Sequence, residues 1–127
     1  MRDKLIKECK LVKCPTCSMN TSILEVSKIL EKQGSKQMIV LDKEFPIGII
    51  TLTDIVYKVI AKNRDHKKVT AFEISTKDIF SIEENNKISE AYAYMTVTNR
   101  LFCPVISNKV FQGILPFSEV VNEIAKK

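Results

Sequence analysis

Thr51-x-x-Asp54 places a hydroxyl and a carboxylate about one helical turn apart, directly after the apolar run Ile47-Gly48-Ile49-Ile50. A strand that turns into a helix at Thr51 aims unpaired N–H groups, and the positive end of the helix dipole, at a bound anion such as a phosphate. The Thr51 hydroxyl adds a donor, and Thr53 supplies a second hydroxyl. Asp54 offers two oxygens that accept hydrogen bonds from a pair of vicinal hydroxyls. Gly48 lacks a side chain and permits close approach by another backbone or by a ligand. The same Thr-x-x-Asp pair also resembles a helix capping box, although Glu or Gln is usual at its last position. Both readings stand on the sequence.

The elements that must carry these residues are set by a repeat. Gly48-Ile49-Ile50-Thr51-Leu52-Thr53-Asp54 recurs 65 residues later as Gly113-Ile114-Leu115-Pro116-Phe117-Ser118-Glu119. The same offset aligns Asn20 with Asn85, Ile23 with Ile88, Glu25 with Glu90 and Val40-Leu41 with Val105-Ile106, without a gap. Such an internal repeat decides the architecture before any local feature does. In a chain of 127 residues each copy is marginal alone, so the two are expected to share a core. The repeats predict domains at 1–63 and 69–127, with a linker at 64–68.

Each copy reads strand, helix, strand, strand, helix. In the first, a helix begins at Thr21 with Ile23, Val26, Ile29 and Leu30 inward and ends near Gly34. Met38-Ile39-Val40-Leu41 and Ile47-Gly48-Ile49-Ile50 form a hairpin. Residues 52–61 then close the copy as a helix that buries Ile55, Val56, Val59 and Ile60. In the second, Ile79-Phe80-Ser81-Ile82 is a short strand, and Asn85 or Asn86 caps a helix reaching Asn99 with Ile88, Ala91, Met95 and Thr98 on one face. A second hairpin follows, and Pro116 suits the first turn of a closing helix. Strands alternating with helices define an α/β (α+β) fold, a sheet covered on one side by helices.

Composition narrows the function. A chain 45% hydrophobic and 28% charged fits an ordinary globular domain. Met1-Arg2-Asp3-Lys4 has no apolar leader, and no apolar run approaches the ~18 residues of a membrane span. A cytoplasmic protein with no membrane partner is expected. The net charge of +5 is compatible with an anionic partner, yet much of the excess lies at residues 62–68, which read as a solvated linker. No basic stripe with interleaved aromatics supports a nucleic-acid partner. No catalytic triad, phosphate-binding Gly-rich loop or paired catalytic carboxylates are seen, so no catalytic residue is assigned.

Cys14-Pro15-Thr16-Cys17, with Cys9 nearby, raises zinc binding or thiol redox chemistry. The repeat favours packing instead, because Cys9, Cys14 and Cys17 align with Ile74, Ile79 and Ile82. A closed zinc site also needs four ligands, and only Cys103 remains. No metal site is assigned. His66 lies in the linker without a visible partner.

Taken together, Met38-Ile39-Val40-Leu41-Asp42 with Gly48-Ile49-Ile50-Thr51-Leu52-Thr53-Asp54-Ile55, and Cys103-Pro104-Val105-Ile106 with Gly113-Ile114-Leu115, resemble a tandem pair of cystathionine-β-synthase (CBS) domains, a Bateman module. The segment 72–78 is similar to the lead-in of a CBS strand. The resemblance covers nearly all of residues 5–127. It implies two β-α-β-β-α units packed through their sheets with pseudo-two-fold symmetry, and clefts that bind AMP, ADP, ATP or S-adenosylmethionine. It implies regulation rather than catalysis, no required cofactor, a homodimer, and a regulated partner that the sequence does not name. It assigns Thr51 to phosphate and Asp54 to ribose, with Gly48 and Thr53 beside them. Backbone at Ile74 and Ser75 would read an adenine edge, and Lys36 and Arg100 would meet phosphates. In the second copy Pro116 has lost both hydroxyl and N–H, which leaves Ser118 and Glu119 to a weaker cleft. The competing readings are a ligand-free interaction module, and a zinc or redox protein using Cys9, Cys14 and Cys17.

Overall fold

The structure, a computed structural model, describes residues 3–126. Met1, Arg2 and Lys127, which end the expected domains 1–63 and 69–127, lie outside the described residues. The chain builds two compact units.

One unit spans 14–79. Its elements are β1 (Thr16–Ser18), α1 (Ile23–Gln33), β2 (Gln37–Asp42), β3 (Phe45–Thr51), α2 (Leu52–Ile55) continued by a π-helical turn (Val56–Ile60), and a short α3 (Ala71–Ile74). The sheet order is β1-β2-β3, with β1 parallel and β3 antiparallel to the central β2. Helix α1 starts where the Ser22 hydroxyl accepts Glu25 N–H, one residue after the expected Thr21. It ends at Gly34, whose left-handed backbone suits a residue without Cβ. Its buried stripe of Ile23, Val26 and Leu30 packs with Met38, Val40 and Ile50 of the sheet.

The other unit combines the segment ending at Lys13 with residues from Phe80 onward. A 3-10 turn (Ile6–Glu8) precedes β4 (Ile82–Glu83), α4 (Ile88–Thr98), β5 (Phe102–Ser107), β6 (Val110–Pro116) and α5 (Phe117–Ala125). The 65-residue offset carries through the whole layout. Helix α4, strands β5 and β6 and the start of α5 fall on it residue for residue, as do the bulges after Val40 and Val105. Asn99 takes the left-handed position of Gly34.

Four expectations change. The β4 strand is confined to Ile82–Glu83. Helix α4 is capped by Lys87 rather than Asn85 or Asn86: Lys87 N–H donates to the Glu90 carboxylate at 3.0 Å, while the Asn86 side chain serves Glu83 N–H. Val59 is buried, but Val56 and Ile60 are 49% and 61% exposed. The cause is the π turn, whose Ala61 N–H bonds back to Val56 and which rotates these positions off the α-helical face. Finally, the contacts divide the chain differently from a linker at 64–68. Residues 64–79 pack with the first copy, where Thr70 bridges Ser22; the segment ending at Lys13 packs with the second, where Leu5 bridges Lys87. The two bridges are equivalent under the same offset. A short lead-in therefore docks on the helix of the copy it does not precede in sequence.

Candidate functional site

The site forms where β3 hands over to α2. The chain turns at Thr51, whose extended backbone ends the strand and whose side chain caps the helix. Thr51 Oγ1 accepts Asp54 N–H at 3.3 Å, and Asp54 Oδ2 accepts Thr51 N–H at 2.9 Å and the Thr51 hydroxyl at 3.2 Å. This is a reciprocal capping box with Asp in its last position. The first helical N–H, that of Leu52, donates to Lys36 O at 3.1 Å. Thr53 is exposed on the same turn.

A second segment reaches this corner. Residues that follow α3 run beside β3, where Ile49 and Thr76 exchange backbone hydrogen bonds of 3.0 and 2.8 Å. Gly48 makes that approach possible. A Cβ at Gly48 would lie 2.5 Å from Ser75 Oγ and 2.8 Å from Ser75 Cβ. The glycine thus serves a close approach by the protein's own backbone segment. Ser75 is buried and its hydroxyl donates to Phe72 O at 3.0 Å.

Lys58 ties the two segments together. Its ammonium lies 3.0 Å from Asp54 Oδ1 and donates to Ile74 O at 3.0 Å. The Asp54 side chain is only 13% exposed and that of Lys58 45%. Sequence reasoning left Lys58 out, although its position four residues after Asp54 is the spacing of a helical ion pair. Gly48, Thr51, Asp54, Ile74 and Ser75 are all in one unit, with Lys36 exposed in the turn between α1 and β2. Arg100 belongs to the other unit, where it is half-buried in the turn before β5.

The matching corner of the other unit is built differently. Pro116 caps α5 without a side-chain bond. Glu119 is half-buried and accepts Lys10 N–H at 3.3 Å; Ser118 is exposed. Where the first copy has Lys58, this one has Glu123, a side chain 6% exposed that accepts from Lys4 at 2.7 Å and Lys126 at 2.9 Å. Those two ammonium groups hold the Glu123 carboxyl below the usual carboxylate range. Glu123 in turn raises Lys4.

The cysteines sit in apolar surroundings. Cys17 is buried on β1 and Cys103 on β5, while Cys9 is buried just after the 3-10 turn, not on a strand. Cys14 is half-buried and its Sγ lies 3.7 Å from Gln37 O. Burial pushes the thiols of Cys14 and Cys17 up to about 11 and that of Cys103 up to about 12. Burial does the same to Cys9, also about 11, with Glu123 and Glu119 adding to it. Cys9 and Ile74 fill corresponding core positions, as do Cys17 and Ile82. Among the described residues no three His, Cys, Asp or Glu side chains are grouped to hold a metal ion. Among those residues no helix is long and apolar enough to cross a membrane.

With this geometry in hand, relatives place the chain. Residues 6–61 match the family model for the CBS domain. Residues 6–61 are by that match a CBS domain, and the fold of the chain is that of CBS-domain structures. It is similar to the crystal structure of Hypoxic Response Protein I, which holds two coordinated zinc ions, at 20% identity and a TM-score of 0.79; the match covers 94% of this chain and 98% of that one. It is similar also to a hexameric CBS-CP12 protein from bloom-forming cyanobacteria, at 24% identity and a TM-score of 0.73, over 98% of this chain and 74% of that one. An uncharacterized protein of Methanopyrus kandleri is 25% identical over 108 residues, which are 84% of this chain and 55% of that protein. The chain thus spans about half the length of that curated relative. CBS-domain proteins are in general regulatory and signal-transduction modules, and some of them assemble into hexamers.

Proposed function

We propose that this chain is a non-catalytic sensor that binds an adenosine-containing ligand, AMP, ADP, ATP or S-adenosylmethionine, at the Thr51/Asp54 corner and passes its occupancy to a partner protein. One observation carries the reading: a carboxylate on α2 and a carbonyl at the end of α3 share a single ammonium, that of Lys58, as an ion pair and a hydrogen bond. Two acceptors from separate segments converge there, as a ligand with a ribose diol and an amino edge requires. In the bound state Asp54 accepts from the ribose, Ile74 O from the adenine amino group, and the Thr51 hydroxyl and nearby N–H groups meet a phosphate. Binding exchanges the internal ammonium at Asp54 Oδ1 and Ile74 O for donors on the ligand. The Glu119 corner, where Pro116 has neither hydroxyl nor N–H to offer a phosphate, stays weak.

The capping box favours one rival. Thr51 and Asp54 already satisfy each other, as they do in a module that binds no nucleotide and only docks a partner. Titration calorimetry with AMP, ADP, ATP and S-adenosylmethionine separates the two. The sensor reading expects one dominant site per chain. Heats indistinguishable from dilution with all four ligands favour the docking module, and two equal sites per chain contradict the assignment. We also propose a homodimer formed through the exposed apolar residues Val56, Ile60, Val121 and Ile124. Light scattering that finds only the 14.5 kDa species at micromolar concentration removes that claim.

A further inference from the structure

We propose that Lys58 is a built-in competitor for the ligand: in the empty protein its ammonium takes the two acceptors, Asp54 Oδ1 and Ile74 O, that the nucleoside must use. The proposal rests on the site reading above. Asp54 Oδ2 is already committed to Thr51 N–H and hydroxyl, so Oδ1 is the oxygen left for an incoming group, and Lys58 sits on it at 3.0 Å. Ile74 closes α3, where carbonyls have no partner within their own helix, and Lys58 supplies the missing donor at 3.0 Å. An ordinary helical Asp–Lys pair four residues apart accounts for the first contact only. The second reaches across 16 residues to another segment.

The chemistry makes the two occupants exclusive. A largely buried carboxylate oxygen and a helix-terminal carbonyl are costly to leave without donors, so an empty site keeps an internal one. Ribose and adenine bring neutral donors of their own. The Lys58 side chain is nearly half exposed and has a path out to water, so it leaves when they arrive. The other unit has no such device, because the position of Lys58 is held by Glu123, whose donors are Lys4 and Lys126.

The test uses adenosine, a neutral probe in which phosphate attraction to Lys58 plays no part. Lys58→Met keeps the length of the side chain and removes the ammonium. Adenosine should bind it about 3- to 10-fold more tightly than wild type, the gain from no longer displacing one hydrogen-bonded donor. Lys58→Arg, which keeps a cation in reach of both acceptors, should show no gain. Unchanged or weaker adenosine binding by Lys58→Met, in a protein that melts as a folded chain, overturns the proposal. Asp54→Ala identifies which idea failed. If it abolishes adenosine binding while Lys58→Met changes nothing, the competitor falls and the site stands. If Asp54→Ala binds as wild type does, the site assignment falls and the competitor with it.

Discussion

At the start of α2 a carboxylate faces an ammonium, and at the start of α5 a carboxylate stands one turn from a second carboxylate. The two corners share one layout of strands up to the helix start. Strand lengths, the bulge and the turn into the helix are repeated, and the core positions correspond from Ile23 and Ile88 to Ile50 and Leu115. The side chains at the helix start and one turn beyond differ, Thr51 against Pro116, Asp54 against Glu119, Lys58 against Glu123, as do the π turn that follows α2 alone and the positive φ of Gly113. Packing holds the core in register, because a one-residue slip in a strand turns every side chain to the wrong face. Nothing in the packing demands a hydroxyl or an ammonium at the corner. The difference therefore marks where the two copies have been free to take different jobs.

The largest effect expected from breaking this contrast is on ligand affinity. Asp54→Ala should weaken AMP binding on the order of 10- to 100-fold, by removing charge-assisted hydrogen bonds to the ribose. Glu119→Ala, its counterpart, should leave AMP affinity within about two-fold of wild type. Equal losses in the two variants would erase the functional distinction between the corners.

The paired glycines come next. Gly48→Ala drives a methyl into Ser75 and should cost about 1–3 kcal/mol in urea unfolding. Adding Ser75→Gly clears that space, so the double variant should recover most of the loss. Gly113→Ala meets the Val12 carbonyl and a φ of +151°, a backbone position closed to L side chains, and should cost about 1–3 kcal/mol with no rescue from trimming Leu11. Rescue at both glycines would show that side-chain crowding alone explains the pair.

Thr51→Ala, which strips the cap from α2, should lower stability by ~1 kcal/mol. The matching Pro116→Ala removes no cap hydrogen bond, and its loss should be the smaller of the two in the same assay.

The smallest effect concerns the Lys4–Glu123 pair. Lys4→Met should be less stable than wild type at pH 7, and the deficit should close at both ends of the pH scale. Glu123 titrates below its unfolded range in the native protein, so its contribution is complete above that range and disappears as pH falls through its lowered native value. Lys4 titrates above its unfolded range in the native protein, so its contribution is complete below that range and disappears as pH rises through its raised native value. A deficit independent of pH would assign the loss to packing of the lysine stem.

Much of this fold is legible in the residues. The fixed offset from Gly48 to Gly113 locates both hairpins and both long helices, and apolar spacing finds Ile23, Val26 and Leu30. The π turn was not legible, because Val56 and Ile60 keep an apolar pattern whether the helix is wound tightly or loosely. The docking of the lead-ins was not legible for a different reason. Local pattern says nothing about which copy a lead-in joins, although Leu5-x-x-Glu8 and Thr70-x-x-Glu73 share the 65-residue offset and the same backbone-to-carboxylate bond, at 2.8 Å in both. At the candidate site Thr51 and Asp54 were visible as a pair and Ile74-Ser75 through family likeness. Lys58 escaped because its second partner, Ile74 O, is a backbone atom remote in sequence.

The docking of the segment before Lys13 onto the later copy has a consequence for biosynthesis. The unit at 14–79 has all of its strands and helices in hand once Ile79 has left the ribosome, and it can fold while translation continues. The residues around Leu5 emerge earlier still, yet their partners are made much later: Lys4 waits for Glu123, 119 residues downstream. Closing so long a loop is slow, so the segment around Leu5 reaches its native place later than the unit at 14–79. Until then Ile6 and Cys9, core residues of the finished unit, travel exposed on the nascent chain.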